Sequence, residues 1–102
     1  MACGVPAIAT AWSSKNDFFD ERFGYPLRIR GLVPAVTRSP YYRTLRWANP
    51  DGEHLRFLMR HVYEHREEAR AKAEAASRFA LAEYAWPVVT SKLQRRIEEI
   101  SG

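Results

Sequence analysis

The chain opens Met1-Ala2-Cys3-Gly4-Val5-Pro6-Ala7-Ile8-Ala9-Thr10-Ala11-Trp12, and this stretch decides how the rest is read. Met1, Ala2 and Cys3 suit a helix interior. Gly4 is the residue that most readily takes the left-handed conformation just past a helix end, and Pro6 follows where a helix cannot easily continue. Val5 to Thr10 is then a short apolar run with β-branched members, the length of a buried strand. A stop signal with almost nothing ahead of it points to a missing helix, and to a chain that is the back part of something larger.

Working outward, 102 residues give room for one small domain. Hydrophobic residues make up 46% and charged residues 27%, a globular balance that argues against disorder. The apolar runs are too short to cross a bilayer, and Met1 to Trp12 lacks the basic start and longer apolar core of a signal peptide. Cys3 is the single cysteine, so no internal disulfide forms, which fits a reducing compartment; the cytoplasm is the expected location.

The formal charge is +4, and its distribution says more than its size. Between Arg22 and Pro50 there is no Asp or Glu, yet Arg22, Arg28, Arg30, Arg38, Arg43 and Arg46 lie there with Tyr25, Tyr41, Tyr42 and Trp47 interleaved. Such a segment is either a solvated rim or a surface for phosphates of nucleic acid, lipid headgroups or a nucleotide.

Along the chain, Ser14 and Asp17 have the form of a capping box for a short helix that Gly24 closes. Tyr25, Leu27 and Ile29 alternate with Pro26, Arg28 and Arg30, the period of a half-buried strand. Pro34 to Tyr42 reads as loop, and Leu45 and Trp47 as a brief second strand. From Asn49 the pattern turns helical, with Asn49 or Asp51 as cap. Leu55, Leu58, Met59, Val62 and Tyr63 predict one buried face. A second helix around Glu67 to Tyr84 buries Ala69, Ala73, Ala76 and Ala80. Pro87 sits at a favoured first-turn position, and Val89, Leu93, Ile97 and Ile100 form a third stripe.

Complete catalytic motifs are absent. His61, Glu64 and His65 fit the H-x-x-E-H zinc pattern, but Val62 and Tyr63 on the buried face turn both histidines at least partly towards solvent, and no third ligand is in view. His54 reads as a surface residue. Cys3 has no base beside it, Ser13 and Ser14 lack the Gly-x-Ser-x-Gly elbow, and neither Walker A nor Gly-x-Gly-x-x-Gly occurs. Asp17, Asp20 and Glu21 read as a solvated cluster.

As a string, Met1 to Ser13 resembles the E-A-M-A-C-G-x-P-V-I-A-T segment in the C-terminal domain of group 1 glycosyltransferases, which have the GT-B fold. Ser13-Ser14-Lys15-Asn16-Asp17-Phe18 is similar to the Ser-Gly-Asn-x-Asp-Phe loop of one branch. Tyr25-Pro26-Leu27, Leu32-Val33-Pro34, Trp47-Ala48-Asn49-Pro50-Asp51, His54-Leu55 and Leu58-Met59 continue in family order. Glu83-Tyr84-Ala85-Trp86 resembles the Phe/Tyr-Ser-Trp ahead of the last helix.

The resemblance implies transfer of a sugar from a nucleotide-sugar donor, between two Rossmann-like domains. It also implies that two glutamates with seven residues between them, and the backbone that receives the donor pyrophosphate, lie ahead of Met1. Two departures stand out: Ser14 replaces a frequent Gly, and Ala85 replaces the usual Ser, removing a cap worth about 1 kcal/mol.

The expected fold is α/β, a partial Rossmann-like C-terminal half-domain of GT-B type with few strands and then three helices. It forms a single partial domain over 1–102, strand- and loop-rich over 1–48 and helical over 49–102. Its expected role is to complete the donor-side sheet, with Ser13 and Ser14 nearest the donor. No catalytic residue, metal ligand or cofactor is assigned; the expected partners are the donor and the missing N-terminal domain. The competing expectation, from another class, is a small basic module holding nucleic acid or an anionic surface through segment 22–47, with nucleic acid the less expected partner.

Overall fold

Gly24 has no room for a side chain. A Cβ there would run into the Phe19 ring and lie 2.8 Å from the Ala7 carbonyl oxygen. That close approach lets two short strands, β1 (Ile8–Thr10) and β2 (Tyr25–Leu27), lie side by side. The computed structural model describes the backbone of residues 1–102, and every side chain except those of Ser14 and Lys15.

β1 and β2 pair in parallel, Ile8 with Tyr25, Ala9 with Pro26 and Thr10 with Leu27. Bonds from Tyr25 N to Ala7 O (3.0 Å) and from Ala11 N to Leu27 O (2.9 Å) bracket the pair. Pro26 has no N–H to give and is accommodated because β2 has one paired neighbour. The strand is shorter than the apolar run Val5 to Thr10, because Pro6 interrupts the backbone donors and Val5 is exposed. Ahead of it, Gly4 N donates to Met1 O at 3.1 Å with Gly4 at φ +70°, the left-handed turn expected of this glycine. Ser77 Oγ donates to Ala2 O at 2.7 Å and ties this turn to the second helix.

The alternating stretch Tyr25 to Arg30 is not one strand, as its period suggests. It breaks at Arg28, whose N–H donates to His54 Nδ1 (3.0 Å) and whose carbonyl accepts from Asp51 N (2.9 Å). With both backbone groups taken by the start of the first helix, Arg28 cannot extend a ladder. The chain resumes as β3 (Ile29–Pro34), antiparallel to β4 (Arg46–Pro50), with a register irregularity between Ile29 and Gly31. β4 therefore runs past Asn49, and Asp51 is the helix cap. Its carboxylate accepts from Glu53 N (3.1 Å) and His54 N (3.2 Å). The bond from His54 N, with the Arg30 charge and the other partners, holds that carboxyl below its ordinary range.

Three helices follow: α1 (Gly52–Glu64), α2 (Arg66–Tyr84) and α3 (Trp86–Ser101). Ala85, extended and with no side-chain bond, stands at the head of α3, and Pro87 fills its first turn. The core joins Tyr25 and Leu27 to Leu58 and Ala69, with Ile8, Leu55 and Val62 packed against it. Ala69, Ala73 and Ala76 are buried, as the sequence predicts for α2, while Ala80, expected with them, is only half-buried. Phe23 stacks on Phe79 at 4.5 Å between centroids.

Two expected faces are corrected. Met59 and Tyr63 are 59% and 69% exposed, so the buried side of α1 is centred on Leu58 and includes part of His54 and His61. Val89, Leu93, Ile97 and Ile100 of α3 are all exposed; α3 extends beyond α2, held by a Lys92 to Glu83 ion pair at 2.8 Å. The radius of gyration is 17.5 Å, against about 13 Å for a compact chain of this length. The fold is mixed α/β, with two two-stranded sheets and three helices. Among the described residues no helix is long and apolar enough to cross a membrane.

Candidate functional site

The connection leaving the carboxyl end of β1 contains both serines singled out from sequence. Trp12 N donates to Thr10 O at 2.9 Å, which turns the chain away from the sheet. Ser13 then takes φ +66°, in the left-handed region. A non-glycine residue there carries strain of about 1 kcal/mol or more. Ser13 to Asp17 form a 3-10 turn rather than an α-helical one. The strained residue lies immediately ahead of Ser14. The Ser14 side chain, and with it the capping-box expectation, lies outside the described residues.

A second group of polar side chains gathers between β2, α1 and α2. The Tyr25 ring is buried, at 4% exposure, and its hydroxyl donates to Glu68 Oε1 at 3.0 Å. His61 Nε2 lies 3.0 Å from the same oxygen; an ionised carboxylate only accepts, so Nε2 is the donor. Burial first, then the bond to Glu68 and its negative charge, push the Tyr25 phenol up to about 12. The donors His61 and Tyr25 hold the Glu68 carboxyl below its usual range. Lys72 Nζ sits 4.3 Å above the Tyr25 ring and donates to Gly24 O at 3.3 Å.

His54 and His61 of α1 belong to the same side, and His65 stands at the C-cap of α1 beside His61. His54 Nδ1 accepts from Arg28 N, which leaves the proton of the neutral ring on Nε2. His65 Nδ1 meets His61 O at 3.0 Å, and the rings of His61 and His65 stack at 4.1 Å. Tyr25, Arg28, His54, His61, Glu68 and Lys72 line one side of an open cleft of about 390 Å³ that reaches Ala11. Chemically this is a set of locked donors and acceptors with Tyr25 neutral and Glu68 ionised. It fixes a strand to two helices.

Sequence reasoning missed this network. Tyr63, expected inside, is exposed, while His61, expected at least partly towards solvent, is half-buried and His65 is exposed. The legible signal was the row Leu58, His61, His65 at helical spacing opposite Glu68, four residues ahead of Lys72 and beside the alanine stripe. Among the described residues no group of three or more His, Cys, Asp or Glu is placed to hold a metal ion. Of the acidic cluster, Asp20 pairs with Arg22 at 2.8 Å, which lowers its carboxyl, chiefly through the side-chain hydrogen bond. Cys3 is exposed.

All six arginines of the arginine segment are exposed; Arg22 is paired with Asp20 at 2.8 Å and Arg30 with Asp51 at 3.5 Å. With the geometry in place, the class it defines is a small mixed α/β unit with a strained loop at the end of a parallel strand pair. Comparison of the chain with protein-family models, with curated proteins and with solved structures returns no match in any of the three.

Proposed function

We propose that this chain is the donor-side, C-terminal part of a glycosyltransferase of the family it resembles, which in complete form transfers a sugar from a nucleotide-sugar to an acceptor. The observation that supports this best is the parallel pairing of β1 with β2 through a connection that leaves β1 in a left-handed turn at Ser13. Ligands of open parallel sheets bind beyond the carboxyl ends of the strands. Ser13 and Ser14 are therefore the residues assigned to the edge of the donor cleft. In this reading the sheet continues on a Rossmann-like plan, and the exposed α3 stripe meets the remainder of the enzyme.

The work of these residues is then mechanical. The Tyr25–Glu68–His61 network fixes β2 to α1 and α2, and the Ser77–Ala2 bond holds the turn at Gly4 that precedes β1. The glutamates that touch sugar and ribose belong to a preceding segment. The 102 residues alone are expected to turn over no nucleotide-sugar, because orienting and electrostatic groups must come from both domains.

Reading the coding DNA upstream of Met1 tests this. An open frame ending in Glu-Ala, with another glutamate eight positions before that Glu, is the expected result. A stop codon close upstream, or turnover of a nucleotide-sugar by the purified short chain, overturns it.

A further inference from the structure

The β3–β4 ribbon carries a surface that neither the polar network nor the serine loop uses. Register sets Val33 opposite Trp47, and Ala35 N donates to Leu45 O at 3.0 Å. Residues opposed in an antiparallel pair point the same way, and alternate residues share a face. Val33, Leu45 and Trp47 thus form one apolar face, and all three are exposed. Arg46, opposite Pro34, belongs to the other face. At the open end, the connection raises Val36 and Tyr41 to 86% and 87% exposure, with Tyr42 beside them in the short 3-10 turn Pro40–Tyr42. Arg38 and Arg43 flank this tip and are exposed. The whole stretch from Arg22 to Pro50 contains no acidic residue.

We propose that the β3–β4 ribbon and its connecting loop dock on the surface of a bilayer containing anionic lipid. The inference does not rest on the glycosyltransferase reading and stands or falls separately from it. Charge selects an anionic partner, and the apolar residues select which one. A nucleic acid would use the arginines and stack bases on Tyr41, Tyr42 and Trp47, but it gives Val33, Val36 and Leu45 nothing to enter. An interface takes all three types at their own depths. Aliphatic side chains reach the acyl boundary, Trp and Tyr settle at headgroup level, and arginines meet lipid phosphates. A two-stranded ribbon whose ends of strand converge on Val36 and Tyr41 is a shallow wedge with a basic collar.

Flotation of the full 102-residue chain with phosphatidylcholine vesicles, with and without phosphatidylserine, tests the proposal. Binding to the phosphatidylserine vesicles alone, weakening as salt rises, is expected. Each arginine removed from the tip should weaken partitioning about fivefold, so Arg38→Ala and Arg43→Ala together lose about 25-fold. A variant carrying Trp12→Phe and Trp86→Phe leaves Trp47 as the sole indole. Its emission should shift to the blue on the vesicles and be quenched by brominated acyl chains, and Val36→Asp should remove both effects. Equal binding to both vesicle types, an unquenched Trp47, or tighter binding to a single-stranded oligothymidylate than to vesicles overturns the proposal. Should a variant fail to fold, judged by helical circular dichroism, the lipid preference of the unaltered chain still decides.

Discussion

The parallel pair and the antiparallel ribbon are both two-stranded, yet their sequences have solved opposite problems. β2 buries Tyr25 and Leu27 against Leu58 and Ala69, while along β3 and β4 nothing is buried. What separates them is a single residue, Arg28, at which one alternating stretch passes from an inside environment to an outside one. The helices repeat the contrast: α2 closes on three alanines, and α3 carries four aliphatic residues into the open. Stability in this chain is thus expected to come from the β1–β2–α1–α2 unit, with the ribbon and α3 carried by it.

The sharpest way to break that comparison is Leu58→Ala. Removing a buried leucine from the small core should cost about 3 kcal/mol, read as a lowered urea midpoint. Gly24→Ala comes next, at about 2 kcal/mol, because the new methyl meets the Phe19 ring and a backbone carbonyl that cannot move far. Tyr25→Phe should cost about 1 kcal/mol, as Glu68 loses one donor, and it carries a pH signature. The Tyr25 phenol is raised to about 12 when folded, from its ordinary value near 10. Between these values the unfolded chain has lost a proton that the folded chain keeps. Stability from this group is therefore complete below pH 10 and is lost as pH rises towards 12. Midpoints measured from pH 9 upward should fall more steeply for the unaltered chain than for Tyr25→Phe.

The smallest effect is expected in α3, where Leu93→Ala or Ile97→Ala should change stability by less than about 0.5 kcal/mol. A cost equal to that of Leu58→Ala would mean that something covers this face in solution, and the two regions would no longer differ. Sedimentation at two protein concentrations would show whether the cover is another copy.

How much of this was legible depended on how local the cause was. The Asp51 cap, the Ala69–Ala73–Ala76 stripe, Pro87 in the first turn of α3 and the left-handed Gly4 each follow from residues within a turn of one another. Strand partners do not: nothing near Ile8 announces Tyr25, and nothing in Tyr25 to Arg30 reveals that Asp51 and His54 claim the Arg28 backbone. The face of α1 was misplaced because Met59 and Tyr63 are apolar enough to mimic a core. The residue that turns inward, His61, does so because Glu68 on another helix offers it a charge. Of the candidate site, that a turn at Ser13 follows β1 was legible by position, while its left-handed conformation depends on how β1 ends.

The bond between Tyr25 and Glu68 joins residues 43 apart in sequence, and that between Ser77 and Ala2 joins residues 75 apart. Time enters here. α1 and α2 are adjacent and need almost no loop closure to meet, so they are expected to form first, on a microsecond scale. The parallel pair can add only after long loops have closed, and the alanine face of α2 must wait for it uncovered. In a pulse of hydrogen exchange during refolding, amides of α1 and α2 should be protected before those of Tyr25 and Leu27. The last event is then the docking of the N-terminal turn on Ser77, which places the opening residues of the chain at the end of its folding.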